Sequence, residues 1–145
     1  MCALDALMFM NGEFGIEADN NENNITIVVA DDCKDNLMFI SFVLDNLNLK
    51  YYLACDGKAA IDLVRQQKPN LVLLDVVMPN LSGIDANILI KDNKSTSHIP
   101  TIAITALSES KHITTIQNAG FDDYLIKPFM IEELEIKLKY FLEID

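Results

Sequence analysis

The sequence predicts an α/β fold in which a doubly wound, five-stranded parallel sheet carries helices on both faces. Short apolar, β-branched segments alternate with longer segments of helical spacing from residue 25 onward. Such alternation along a chain is typical of parallel sheets covered by helices. Several of the short segments (ITIVVA, LVLL and TIAIT) are continuous runs of apolar and β-branched residues, as expected of strands that are buried on both faces.

The predicted strands are apolar segments that are too short to form stable helices. They are 25–30 (ITIVVA), 50–55 (KYYLAC), 71–75 (LVLLD), 100–105 (PTIAIT) and 123–126 (DYLI). The third strand ends on an acid, Asp75, after the most hydrophobic stretch of the chain. A carboxylate in an apolar core is costly unless it is paired or binds a metal. We therefore expect Asp75 to emerge at the edge of the sheet, where it has a chemical role.

The predicted helices are 35–49, 58–68, 82–93, 108–120 and 131–144. Ser82 and Ser108 are candidate N-caps, and Gly120 is placed to end the fourth helix. The first helix has apolar residues at helical spacing: Leu37, Ile40, Phe42, Val43, Leu44 and Leu47. Acids in the first turn of the last helix are favoured by the helix dipole.

Composition excludes several functions. The net charge of −11 argues against nucleic-acid binding, which needs clustered Lys and Arg. No apolar run approaches the roughly 18 residues of a membrane span. The three cysteines lack CxxC spacing. A secretory signal begins with basic residues, whereas this N-terminus has none and carries Asp5. We expect reduced thiols and a cytoplasmic protein.

Composition also divides the chain. Residues 1–24 carry five acids and no basic residue, and they end in an Asn-rich stretch. We expect this segment to be a flexible N-terminal extension, and residues 25–145 to form one domain. The chain ends close to the last predicted helix, so we expect a stand-alone protein rather than a piece of a longer one.

Polar side chains follow four of the predicted strands at their carboxyl ends. They are Asp31 and Asp32, Asp75, Thr105 and Lys127. In an open parallel sheet these ends form the ligand-binding edge. Three carboxylates close together need a cation, and oxygen ligands suit Mg²⁺. With a hydroxyl and an ammonium group nearby, such a site could handle a phosphoryl group, and a carboxylate can itself be the nucleophile.

The motifs resemble those of the receiver domain of two-component response regulators. The matching segments are VVADDCKDN (28–36), KPNLVLLDVVMPNLSG (68–83), IPTIAITA (99–106) and AGFDDYLIKPF (119–129). Order and spacing agree, and the resemblance covers essentially all of residues 25–145. It implies the flavodoxin-like receiver fold and a single-domain response regulator.

The resemblance also implies roles for the site residues. Asp75 would be the phosphoacceptor. Asp32 would bind Mg²⁺ directly, Asp31 would assist partly through water, and the backbone carbonyl of Val77 would complete the protein ligands, with Mn²⁺ as a possible substitute. Thr105 and Lys127 would contact the phosphoryl group, and the peptide bond after Lys127 would be cis.

The resemblance further implies a phosphorylation-activated switch rather than a turnover enzyme. Thr105 would move toward the phosphoryl group and Tyr124 would turn inward, remodelling the face made by the fourth helix, fifth strand and fifth helix. The expected partners are a sensor histidine kinase or histidine phosphotransfer protein, and a downstream protein that binds this face. A homodimer is a further possibility, and a role as a phosphorelay shuttle stays open.

Two alternatives belong to other classes. One is a phosphorylation-independent interaction module of the same fold, although such domains usually lack one of the acids or the lysine. The other is a Mg²⁺-dependent phosphatase with an Asp nucleophile. Haloacid-dehalogenase-type enzymes need a second acid two residues after the nucleophile, and the segment DVVMP, which begins at Asp75, has none.

Overall fold

The computed structural model describes residues 24–145, so the predicted extension lies outside the described residues except for Asn24. The strands are β1 (Thr26–Ala30), β2 (Lys50–Ala54), β3 (Leu71–Asp75), β4 (Thr101–Thr105) and β5 (Asp123–Ile126). The helices are α1 (Lys34–Asn46), α2 (Gly57–Gln67), α3 (Gly83–Asp92), α4 (Ser110–Asn118) and α5 (Ile131–Leu142). All strand pairs are parallel, so the predicted α/β sheet is confirmed.

The strand order is β2-β1-β3-β4-β5. The chain therefore adds β2 on one side of β1 and then crosses to add β3, β4 and β5 on the other side. The direction changes between β1 and β3, and ligands bind at this point in open parallel sheets, beyond the carboxyl ends of the strands. Asp31 directly follows β1 and Asp75 ends β3, so both lie at this switch point.

Successive residues of β1 supply two separate cores. Ile27 and Val29 pack in the cluster that contains α1 and α5. Val28 and Ala30 pack in the cluster that contains α2, α3 and α4. Full burial of a large aliphatic side chain contributes roughly 1.5–3 kcal/mol. These two layers explain why β1 is apolar at every position after Thr26.

Helix α1 is shorter than predicted. It ends at Asn46, and Asn48 has a positive φ of 56°, which breaks the helical spacing before residue 49. Phe42 was predicted on the buried face, but its side chain is 56% exposed. Its neighbours Ile40 and Val43 do reach the core.

The helix ends follow the local sequence with one exception. Ser82 caps α3 by accepting a hydrogen bond from the Asp85 N–H at 3.2 Å, as predicted. Gly120 follows α4 with a φ of +90°, a backbone conformation that favours glycine. The Ser108 cap was wrong, because α4 begins after Glu109, whose side chain makes no capping bond. None of the helices in residues 24–145 is long and apolar enough to cross a membrane.

Candidate functional site

Three carboxylates meet at the switch point of the sheet. Asp31 is fully buried, Asp75 is 6% exposed and Asp32 is exposed to solvent. Each offers an oxygen that lies within 4.8 Å of an oxygen of the other two. The structure therefore brings together the three acids that the strand ends indicated.

Lys127 joins two of these acids. It follows β5, the strand at one edge of the sheet, and its Nζ lies 3.1 Å from Asp31 Oδ2 and 3.1 Å from Asp75 Oδ2. The Lys127 side chain is 22% exposed, so the ammonium group reaches the acids from the rim of the site. Within the described residues, the Lys127 ammonium group thus pairs with two of the three carboxylates.

Burial and neighbouring charges shift the pKa values of Asp75 and Lys127. Burial and the neighbouring Asp31 carboxylate raise the pKa of Asp75 from 3.8 to about 6, although Lys127 acts in the opposite direction. Burial alone would lower the pKa of Lys127, but Asp31 and Asp75 outweigh it, so this pKa is raised above 10.5. At neutral pH the lysine is charged and the site retains excess negative charge.

Tight backbone turns hold the acids in place. The Cys33 N–H donates to Asp31 Oδ1 at 2.8 Å, and the Val77 N–H donates to Asp75 Oδ1 at 3.3 Å. Gly83 lies against the backbone of Asp75, and a Cβ at this position would collide with the Asp75 carbonyl oxygen. A glycine is therefore required where the start of α3 passes behind the nucleophile candidate.

Thr105 and Tyr124 lie on the strands beside the acids. Thr105 is buried at the end of β4, where its Oγ1 accepts a hydrogen bond from the Leu107 N–H at 2.9 Å, and its carbonyl accepts one from the Lys127 N–H at 2.7 Å. Tyr124 is half-buried on β5 and packs against the core layer that contains α4. The peptide bond between Lys127 and Pro128 is cis, as the resemblance implied.

One residue of the site was not singled out from the sequence. Asn36, in the first turn of α1, donates from Nδ2 to Asp31 Oδ2 at 3.2 Å. It also lines a groove of about 500 Å³ that runs from the site along α1; the other lining residues are Phe39, Ala106, Lys127, Pro128 and Phe129. The sequence feature that points to Asn36 is its position five residues after Asp31, because the first turn of α1 brings it back beside the acid.

The residues present fit a hard divalent cation. The donor set consists of carboxylate oxygens, which Mg²⁺ prefers over nitrogen or sulfur ligands. Asp32 is accessible to solvent, so it can accept a cation that keeps part of its water shell. Asp31, Asp32 and Asp75 can thus hold Mg²⁺, whereas the Val77 carbonyl stays a predicted ligand.

Comparison with known proteins agrees with this geometry. The family model of the response regulator receiver domain matches residues 27–139. The probable transcriptional regulatory protein TcrX of Mycobacterium tuberculosis is 34% identical over 81% of this chain and 50% of its own length. The polar-differentiation response regulator DivK of Brucella anthropi is 26% identical over 81% of this chain and 95% of its own.

A solved structure is similar over the same region. It is the receiver domain of the sensor histidine kinase PA1611 of Pseudomonas aeruginosa, with a TM-score of 0.78 and 28% identity, covering 83% of this chain and 98% of that one. That structure holds a magnesium ion in its active-site cleft. The chain spans half or less of the length of the first curated relatives it matches.

Proposed function

Because the chain belongs to the response regulator receiver family, we propose that it is a phosphorylation-activated signalling switch whose phosphoacceptor is Asp75. The observation that carries this proposal is the contact of Lys127 Nζ with both Asp31 and Asp75 beside the exposed Asp32. A buried carboxylate that contacts a lysine and lies beside two further acids at the binding edge of the sheet is suited to act as a nucleophile in phosphoryl transfer.

The chemistry is a transfer of one phosphoryl group. An ionised oxygen of Asp75 attacks phosphorus and forms a new P–O bond. The bond from phosphorus to the donor breaks, and the leaving group keeps the electron pair and takes up a proton from solvent. Lys127, already 3.1 Å from Asp75, would then donate to a phosphoryl oxygen.

Four other groups would support this transfer. Asp31 and Asp32, with Asp75, would hold Mg²⁺ or Mn²⁺, and the Val77 carbonyl would be an additional ligand. When bound, the ion supplies positive charge beside the phosphoryl oxygens. The Thr105 hydroxyl would leave the Leu107 N–H and donate to the phosphoryl group, so the start of the loop before α4 would be released.

The signalling surface would be the face made by α4, β5 and α5. Tyr124 would turn inward as Thr105 moves, and a phosphoryl dianion can bias such a two-state element. Ile136 and Tyr140 of α5 are 68% and 70% exposed, one helical turn apart, and support a protein-binding role for this face. A downstream protein or a second copy of the chain would bind there.

The proposed phosphodonor is a sensor histidine kinase or a histidine phosphotransfer protein in the cytoplasm. The proposed domain is residues 25–145, preceded by the extension at 1–24. The chain would undergo its own phosphorylation and dephosphorylation without turning over a separate substrate.

The test is incubation with a small phosphodonor and Mg²⁺, followed by intact mass. Wild type, Asp75→Asn and a metal-free sample run together. A gain of one phosphoryl group that requires both Asp75 and Mg²⁺ is expected. A folded wild-type protein that gains no mass would overturn the proposal and favour the phosphorylation-independent module.

A further inference from the structure

The Asp31 carboxylate accepts hydrogen bonds from three donors of the described chain, and only one of them is mobile in the proposed reaction. Cys33 donates its backbone N–H to Oδ1 at 2.8 Å. Lys127 and Asn36 both donate to Oδ2, at 3.1 Å and 3.2 Å. The two side chains therefore share one oxygen of a fully buried acid.

The shared oxygen links Asn36 to the position of the lysine. Lys127 must bond a phosphoryl group on Asp75, and this draws its ammonium group away from Asp31 Oδ2. A buried carboxylate oxygen that loses a donor bears a desolvation cost, and this cost opposes the movement of the lysine. Asn36 stays bonded to the same oxygen and reduces that cost, and as a neutral amide it adds no competing charge.

Asp31 also keeps a contact with α1 that does not involve Asn36. It bonds the start of the helix twice, through the Cys33 N–H and through Asn36 in the first turn. The Cys33 bond is made by the backbone to the other oxygen, Oδ1, so it remains when the amide is removed. Loss of Asn36 therefore leaves Asp31 attached to the start of α1.

We propose that Asn36 is a positioning residue for phosphotransfer. Its hydrogen bond to Asp31 Oδ2 persists when Lys127 leaves that oxygen, so the lysine can move to the phosphoryl group. The inference rests on the proposed function. Without the amide, Lys127 is the remaining donor to Asp31 Oδ2 among the described residues, and the incoming phosphoryl group must compete for the lysine. The same change removes a donor from Asp31 and leaves its oxygen more available to a cation, so Mg²⁺ binding does not weaken.

The test separates these two effects in the full chain. Asn36→Leu and Asn36→Ala both remove the donor, and Asn36→Gln keeps an amide on a longer arm. Asn46→Leu is the matched control, because Asn46 is exposed in the last turn of the same helix. The measurements are the rate of Asp75 phosphorylation by a small phosphodonor at saturating Mg²⁺, the Mg²⁺ dissociation constant by calorimetry, and thermal unfolding.

We expect the phosphorylation rate to fall about tenfold in both donor-less variants, with the Mg²⁺ dissociation constant no weaker than in wild type. The glutamine variant should recover part of the rate, and Asn46→Leu should match wild type. A rate within twofold of wild type in Asn36→Ala would overturn the inference. So would a parallel loss of rate, Mg²⁺ affinity and thermal stability, because this pattern indicates structural damage alone. Wild-type protein that is not phosphorylated at all would instead overturn the proposed function.

Discussion

Replacing Asp75 by asparagine is expected to make the protein more stable at neutral pH in the absence of metal. The pKa of Asp75 is about 6 in the folded protein, against an ordinary value of 3.8. Above pH 6 the folded state carries a buried charge that the unfolded chain exposes to water. As the pH falls from about 6 to about 4, protonation of Asp75 should therefore stabilise the wild-type protein. An acid whose pKa is depressed would instead lose its stabilising contribution as the pH falls.

The magnitude follows from the two pKa values. Their separation corresponds to about 3 kcal/mol of destabilisation when Asp75 is ionised. Since Asp75 is 6% exposed, solvent screening removes little of this energy. For a domain of this size, about 3 kcal/mol is roughly 6–12 °C in the midpoint of thermal unfolding. Asparagine keeps the shape of the side chain and leaves the pair of Lys127 with Asp31 intact.

The assay is thermal unfolding of wild type and Asp75→Asn in EDTA at pH 7.5 and pH 4. Only the difference between the two proteins at each pH is used, because other acids titrate over the same range. The variant should be the more stable protein at pH 7.5, and the difference should be close to zero at pH 4. Equal midpoints at pH 7.5, or a larger advantage at pH 4, would refute the argument that burial and Asp31 raise this pKa.

Three further predictions concern the surroundings of the site. Thr105→Val should still accept a phosphoryl group at Asp75 but should abolish the NMR shift of Tyr124 on adding a phosphoryl mimic, and an unchanged Tyr124 response would contradict the coupling. Gly83→Ala should lower the free energy of unfolding in urea by about 3 kcal/mol or more, because its Cβ meets a backbone oxygen of β3. A loss below about 1 kcal/mol would show that the backbone of the turn can shift to accommodate the methyl group. Lys91→Met should lower the free energy of unfolding in the same assay by roughly 1.5–3 kcal/mol. The reason is that Nζ lies 3.0 Å from Asp122 Oδ2 and 2.7 Å from a backbone carbonyl oxygen. Stability equal to that of wild type would show that these bonds make no net contribution.

The sequence predicts much of the fold because strands that are buried on both faces are recognisable as short hydrophobic runs. Strands β1, β3 and β4 consist of apolar and β-branched residues apart from Asp75, so their positions follow from composition alone. The convergence of Asp31, Asp75 and Lys127 follows from a single rule, that parallel strands place their carboxyl ends at one edge. Such features depend on local patterns and on the order of elements.

Features that depend on tertiary packing could not be predicted in this way. Phe42 has the right spacing for the core, yet the width of the buried face of α1 leaves it exposed. Asn87 is polar but fully buried in α3, where Nδ2 donates to the Ala119 carbonyl 32 residues away. Asn36 lies only five residues after Asp31, but its contact with the acid depends on where α1 begins, which the sequence does not define closely enough.

The bridge formed by Lys127 links segments that are far apart in the order of synthesis. It spans 96 residues to Asp31 and 52 to Asp75. A nascent chain that has released only β1 to β4 already contains all three acids, but it lacks the ammonium group that offsets them, and β5 pairs only with β4. Under the proposed function, competence for phosphorylation would therefore arise late, once the edge strand has docked, and a phosphodonor would discriminate completed molecules from truncated or half-folded ones.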